Sequence, residues 1–209
     1  MDSTEQAGYK ADNTITTLQN IHNPDQSVTD PDVSLQLLKY GNKRYVENKT
    51  IARDTNNMDR TFLKDGQKPF AVILTCSDSR VPPEIYFDQK LGDIFVIRNA
   101  GDIADSTALG SIEYAVGYLN VPLVCVIGHS KCGAVTAAFC GGEAPVNLQS
   151  IINAIKANIS KSADVADAIH DNINGMVEII KQNSIIADNN TTVAGAYYDI
   201  ETGVVTWTR

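Results

Sequence analysis

Three residues of the kind that bind soft metal ions occur here in short polar stretches rather than scattered through the core. Cys76 lies in Thr75-Cys76-Ser77-Asp78-Ser79-Arg80-Val81, and His129 and Cys132 lie in Gly128-His129-Ser130-Lys131-Cys132-Gly133-Ala134-Val135. Two thiolates and one imidazole suit a tetrahedral Zn²⁺ with one position left over, the pattern of a catalytic rather than a structural zinc. Beside Cys76, Asp78 and Arg80 add a carboxylate that a guanidinium can grip with two hydrogen bonds. Such a grip fixes the direction of the carboxylate and keeps it ionised. Asp78 can then accept a hydrogen bond from an attacking hydroxide and turn its lone pair toward an electrophilic carbon.

Far apart in the chain, these residues need elements that end at one place. Each stretch follows an apolar run that reads as a buried strand, Phe70 to Leu74 and Leu123 to Ile127. Strands alternating with helical patterns predict an α/β fold, a central mostly parallel sheet flanked by helices, whose ligand sites collect at the carboxyl ends of the strands. A short helix is expected from Pro82-Pro83 to Phe87, and a further buried strand over Ile94 to Ile97. The loop Arg98-Asn99-Ala100-Gly101-Asp102 then falls on the same sheet edge as the ligands. Ser106 is expected to cap a helix reaching about Leu119, and Gly133 to begin one whose amino end points into the site. Two apolar stripes at helical spacing follow, Ile151, Ile152, Ile155 and Ile159, then Ile169, Ile173, Val177 and Ile180. Thr192 to Ile200 and Val204 to Trp207 read as strands about the turn Glu201-Thr202-Gly203.

The domain reading is an N-terminal arm over residues 1–30 and a single catalytic α/β domain over 31–209. In the arm, Ile15, Leu18 and Ile21 fall at helical spacing. Thr29 or Asp30 can cap a first clear helix with Pro31 at its start and Val33, Leu37, Leu38, Tyr45 and Val46 as its apolar stripe. Asn48 to Gly66 reads as a polar, solvated connection. With 17 Lys+Arg against 25 Asp+Glu and a formal charge of −8, the composition disfavours nucleic acid and anionic membranes as partners. Met1 to Asn20 lacks the basic end and apolar centre of a signal peptide, so a cytoplasmic address is expected. The chain is long enough to bury a core without disulfides. Cys125, inside an apolar run, is expected to be an inert buried thiol, and Cys140 carries no signal.

Cys-Ser-Asp-Ser-Arg-Val followed by Gly-His-x-x-Cys-Gly resembles the β-class carbonic anhydrases, and the resemblance extends from about Val33 to Trp207. It implies a zinc enzyme that interconverts CO2 and bicarbonate, with Cys76, His129 and Cys132 as ligands. It further implies assembly as a homodimer or tetramer, with the N-terminal arm packed on a neighbour. Gln67, Phe95 and Tyr114 are similar in spacing to the residues lining the substrate pocket of plant-type members. Ala100 stands where those carry a larger aliphatic residue, Gly133 joins the substrate-binding set, and Gln89 is a further candidate. Gln67 or Tyr114 is expected near the neighbouring subunit. Some relatives close the site with the motif aspartate as a fourth ligand. The plant-type match favours the open arrangement here, with Arg80 holding Asp78. Two other readings compete: hydrolysis of a CO2-like molecule such as CS2 or COS on the same scaffold, and a non-catalytic zinc- or bicarbonate-binding protein. The complete Asp78/Arg80 pair argues against the latter. With three histidines in the chain, one of them a ligand, no proton shuttle is assigned to His22 or His170.

Overall fold

All six residues of β1 (Ala71–Cys76) are buried, which is why Ala71 to Leu74 are apolar without alternation. A parallel strand covered on both faces has no polar side. The computed structural model describes residues 22, 26–51, 60, 61 and 63–208. The helical spacing of Ile15, Leu18 and Ile21 lies outside these, as does part of the polar connection after Asn48. The remaining strands are β2 (Ile94–Asn99), β3 (Leu123–His129), β4 (Thr192–Tyr198) and β5 (Val205–Trp207). They form one sheet in the order β2-β1-β3-β4-β5. β1 pairs in parallel with β2 and β3, β3 in parallel with β4, and β5 runs antiparallel to β4.

The chain leaves β1 toward β2 on one side and then crosses to β3 on the other. The carboxyl ends of β1 and β3 therefore flank the point where the winding reverses, where open α/β sheets place their ligands. Cys76 is the last residue of β1 and His129 the last of β3. Thr75 pairs with Ile127 and ties the two ends together, its Oγ1 donating to the Ile127 carbonyl at 2.9 Å.

The helices described over their whole length are α1 (Pro31–Val46), α2 (Pro83–Tyr86), α3 (Ser106–Gly117), α4 (Gly133–Cys140), α5 (Val146–Lys156), α6 (Val165–Lys181) and α7 (Ser184–Asp188). Alternation along β4 sorts the faces. Tyr197 stacks on His170 of α6, and Tyr198 stacks on Tyr86 of α2. No helix among the described residues is long and apolar enough to cross a membrane.

Three local expectations shift. The strand expected to be buried over Ile94 to Ile97 is a half-buried edge strand that also takes in Arg98 and Asn99, because β1 covers only one of its two sides. Asp105 rather than Ser106 caps α3, because its extended backbone lets Oδ1 accept from both Thr107 N (3.0 Å) and Ala108 N (2.8 Å). On α1, Asp30 is the cap, but Val46 faces outward, and Asn42 and Arg44 take inward positions instead. Arg44 is buried against Asp88. Asn42 Nδ2 donates to the carbonyls of Tyr86 and Gly203, and its Oδ1 accepts from Val205 N at 2.9 Å. It thus ties α1 to α2 and to the hairpin. An Asn42→Ala variant strands three buried backbone groups, and urea unfolding should show a loss of about 2–4 kcal/mol with an unchanged m-value.

Candidate metal centre

The ligand atoms of Cys76, His129 and Cys132 all lie within 4.8 Å of one another, and all three residues are buried. Cys132 reaches the group because β3 ends at His129 and Lys131 turns the chain with φ +57°, leaving Cys132 at the cap of α4. The imidazole is oriented from behind: His129 Nδ1 donates to the Ser130 carbonyl at 2.9 Å. Its Nε2 is then the unprotonated nitrogen, and it is buried with no hydrogen-bond partner. A buried nitrogen left unpaired costs stability unless something absent from a bare polypeptide completes it.

A tetrahedral zinc sets its sulfur and nitrogen ligands roughly 3.5–3.8 Å apart, given bonds of about 2.3 and 2.0 Å. The three residues present fit such an ion with small side-chain adjustment. Among the described residues the cluster has three members and no fourth Cys, His, Asp or Glu. Of the two thiols, Cys76 is the one drawn toward thiolate. Its pKa is lowered first by hydrogen bonding from Cys132, against burial, with the Gly101 N–H adding to the effect.

The carboxylate expected beside the ligands is held as its spacing suggested. Arg80 Nε donates to Asp78 Oδ1 at 2.9 Å and Nη2 to Oδ2 at 2.7 Å, while Arg80 N also donates to Oδ1 at 2.9 Å. The arginine holds the Asp78 carboxyl far below the usual carboxylate range. The sign follows: a lowered folded-state pKa leaves the pair intact above ordinary carboxylate values and weakens it only as acid protonates Asp78. Asp78 is therefore an ionised acceptor throughout the neutral range.

Arg98, placed by the sequence in the adjoining loop without a role, is part of this frame. Its Nε donates to the Cys76 carbonyl at 3.0 Å and its Nη2 to the Asp78 carbonyl. Asp102, fully buried, is raised to about 7 by desolvation and by the nearby Cys76 charge. Gly101 N lies 3.5 Å from Cys76 Sγ. No spacing motif marks these residues; the signal is their position at the end of β2 and in the turn after it, next to the carboxyl end of β1.

The five substrate-binding candidates divide. Ala100 follows the last residue of β2, which pairs with Cys76, and Gly133 adjoins Cys132, so both lie beside the ligands. Phe95 pairs with Val72, several residues back along the sheet, and the exposed Gln67 precedes β1 at the opposite sheet end. Tyr114 on α3 is 46% exposed, with its ring centroid 6.3 Å from that of Phe95. Within one chain Phe95 and Tyr114 lie at β2 and Gln67 lies before β1, all away from the ligands. Gln89 is buried with its amide donating to the Phe87 carbonyl at 2.6 Å. His22 is bonded to Asp93 Oδ1 at 2.8 Å and His170 stacks on Tyr197.

Comparison with known proteins adds a family. Residues 71–205 match the family model described as carbonic anhydrase. The chain is 54% identical over 110 residues to carbonic anhydrase 2 of Mycobacterium tuberculosis, and this match covers 53% of each protein, about half the length of that curated relative. It is 37% identical over 194 residues to the carbonic anhydrase of Mycolicibacterium smegmatis, covering 85% of this chain and 93% of the relative. Among solved structures, the tetrameric β-carbonic anhydrases of Sordaria macrospora superpose with a TM-score of 0.62 at 26% identity, covering 71% of this chain and 86% of that one.

Proposed function

We propose, from the premise that this chain belongs to the β-class carbonic anhydrase family, that it catalyses the reversible hydration of CO2 to bicarbonate and a proton. One observation carries the reading: three soft ligands converge at the sheet's switch point, with His129 Nε2 buried and unpaired, beside a carboxylate held ionised by an arginine. Zinc, when bound, supplies a Lewis acid that makes water nucleophilic near neutral pH.

The protein's own groups do the rest. Cys76, His129 and Cys132 hold the ion. The two thiolates offset its charge, so the orientation of the nucleophile by neighbouring groups carries more of the catalysis than in an all-imidazole site. Asp78, fixed by Arg80, accepts a hydrogen bond from the attacking water and aims an oxygen lone pair at carbon. As an acceptor held ionised, it disfavours a bound species that has no proton to give. Zinc-loaded protein is expected to exchange ¹⁸O between CO2 and water faster than the same protein stripped by a chelator. Equal rates would remove the metal from the reaction.

The split of the pocket candidates supports assembly as a dimer or a multiple of dimers. β2 is an edge strand whose Ile94, Phe95, Val96 and Ile97 are half-buried, and Tyr118 beside it is 79% exposed. A two-fold axis at this edge would run a second β2 antiparallel to the first. The neighbour's Gln67, Phe95 and Tyr114 would then face this chain's Cys76 end. CO2 would meet an apolar wall built from both copies. Sedimentation should give at least a dimer, and Phe95→Asp should dissociate it with loss of activity. A fully active monomer would contradict this arrangement. The unbridged thiols of Cys125 and Cys140 suit a reducing compartment, which supports a cytoplasmic address.

A further inference from the structure

On the inward stripe of α6, among Ile169, Ile173 and Met176, sits one amide, Asn172, at 1% exposed. A polar group buried in such company is destabilising unless its hydrogen bonds are all made. Asn172 Nδ2 donates to the Gly101 carbonyl at 3.0 Å and lies 3.3 Å from Asp102 Oδ2, and its Oδ1 accepts from Asn158 Nδ2 at 3.2 Å. Both donations go to the turn after β2, the turn whose Gly101 N–H lies on the Cys76 sulfur.

That turn requires support. Gly101 and Asp102 are successive residues with φ of +78° and +48°. Glycine is conformationally loose there, and aspartate is strained. Asn99 clamps the turn from within, exchanging two 2.7 Å hydrogen bonds with the Ile103 backbone. Asn172 clamps it from outside. A Cβ at position 101 would come within 2.6 Å of Ile155 Cδ1, so α5 packs directly on the turn.

Building on the metal reading above, we propose that Asn172 is a positioning residue for the metal centre. By holding the Gly101 carbonyl and the Asp102 carboxylate it fixes the Gly101 N–H on Cys76 Sγ. An N–H donor lowers the energy of thiolate electrons, so Asn172 sets how much charge this sulfur gives to the metal and keeps the ligand aimed.

Zinc affinity by chelator competition and the thiolate-to-metal charge-transfer band of the Co²⁺-substituted protein test this without an activity assay. In Asn172→Leu, which keeps the branching of Asn but lacks the donor, zinc should bind about 10- to 100-fold more weakly. The Co²⁺ band should move to longer wavelength. Both quantities unchanged in a folded Asn172→Leu variant would overturn the proposal and leave the residue a packing role only. Should Asn172→Leu not fold, Asn158→Asp, which removes the donor on Asn172 Oδ1 and frees the amide to rotate, should shift the band the same way by less. An unmoved band there also overturns it. A wild-type protein with no thiolate band at all would instead defeat the metal reading, and this inference with it.

Discussion

Cys132→Ala is expected to leave the protein without stoichiometric zinc and without CO2 hydration above the uncatalysed rate. Cys132 is 1% exposed and one of three ligands, so its loss cuts the set to a thiolate and an imidazole, too few to hold zinc against water at micromolar concentrations. The loss should extend to stability, because an ion that binds only the folded state stabilises it by RT ln(1 + [Zn²⁺]/Kd). Wild-type protein should therefore melt higher with zinc than after chelation, and Cys132→Ala should melt alike in both conditions. Elemental analysis finding about one zinc per chain in Cys132→Ala would take Cys132 out of the ligand set.

Asp78→Asn should separate holding the metal from using it. The substitution keeps shape and leaves all three ligands in place, so zinc content should stay at the wild-type level. It removes the ionised acceptor and replaces one of the two oxygens that Arg80 grips. If Asp78 aims the nucleophile, kcat/KM falls roughly 10²-fold or more, the scale seen when a positioned hydrogen-bonding group is taken from a reacting centre. The pH profile should show no step from Asp78 itself, since Arg80 holds its ionisation far below the neutral range. Near-wild-type activity with full zinc would assign the pair to a purely structural turn.

The parts of this molecule legible in sequence were those whose chemistry is local. The apolar runs ending at Cys76 and His129 placed both ligands at strand ends, and the two-residue spacing of Asp78 and Arg80 is itself the geometry of their grip. The β4–β5 hairpin could be read from its turn, where Gly203 adopts φ +75° and donates to the Asp199 carbonyl at 2.8 Å. Groups acting across long sequence distances were not legible. Asn172 looks like one polar residue in an apolar stripe until α6 packs over the turn holding Gly101 and Asp102. Arg98 was read as opening the loop after β2, whereas it lies within β2 opposite Thr75, and its hydrogen bonds to the carbonyls of Cys76 and Asp78 depend on that register. Gln67, Phe95 and Tyr114 form no pocket with the ligands of their own chain, because strand direction carries them to the other end of the sheet.

The most direct test of the central claim is a stopped-flow measurement of proton release on mixing CO2 with protein whose zinc content per chain has been determined. Across preparations loaded to different extents, the hydration rate should rise in proportion to bound zinc, with neither CS2 nor COS hydrolysed at a comparable rate. Fully zinc-loaded, folded, oligomeric protein that hydrates CO2 no faster than buffer would contradict the account.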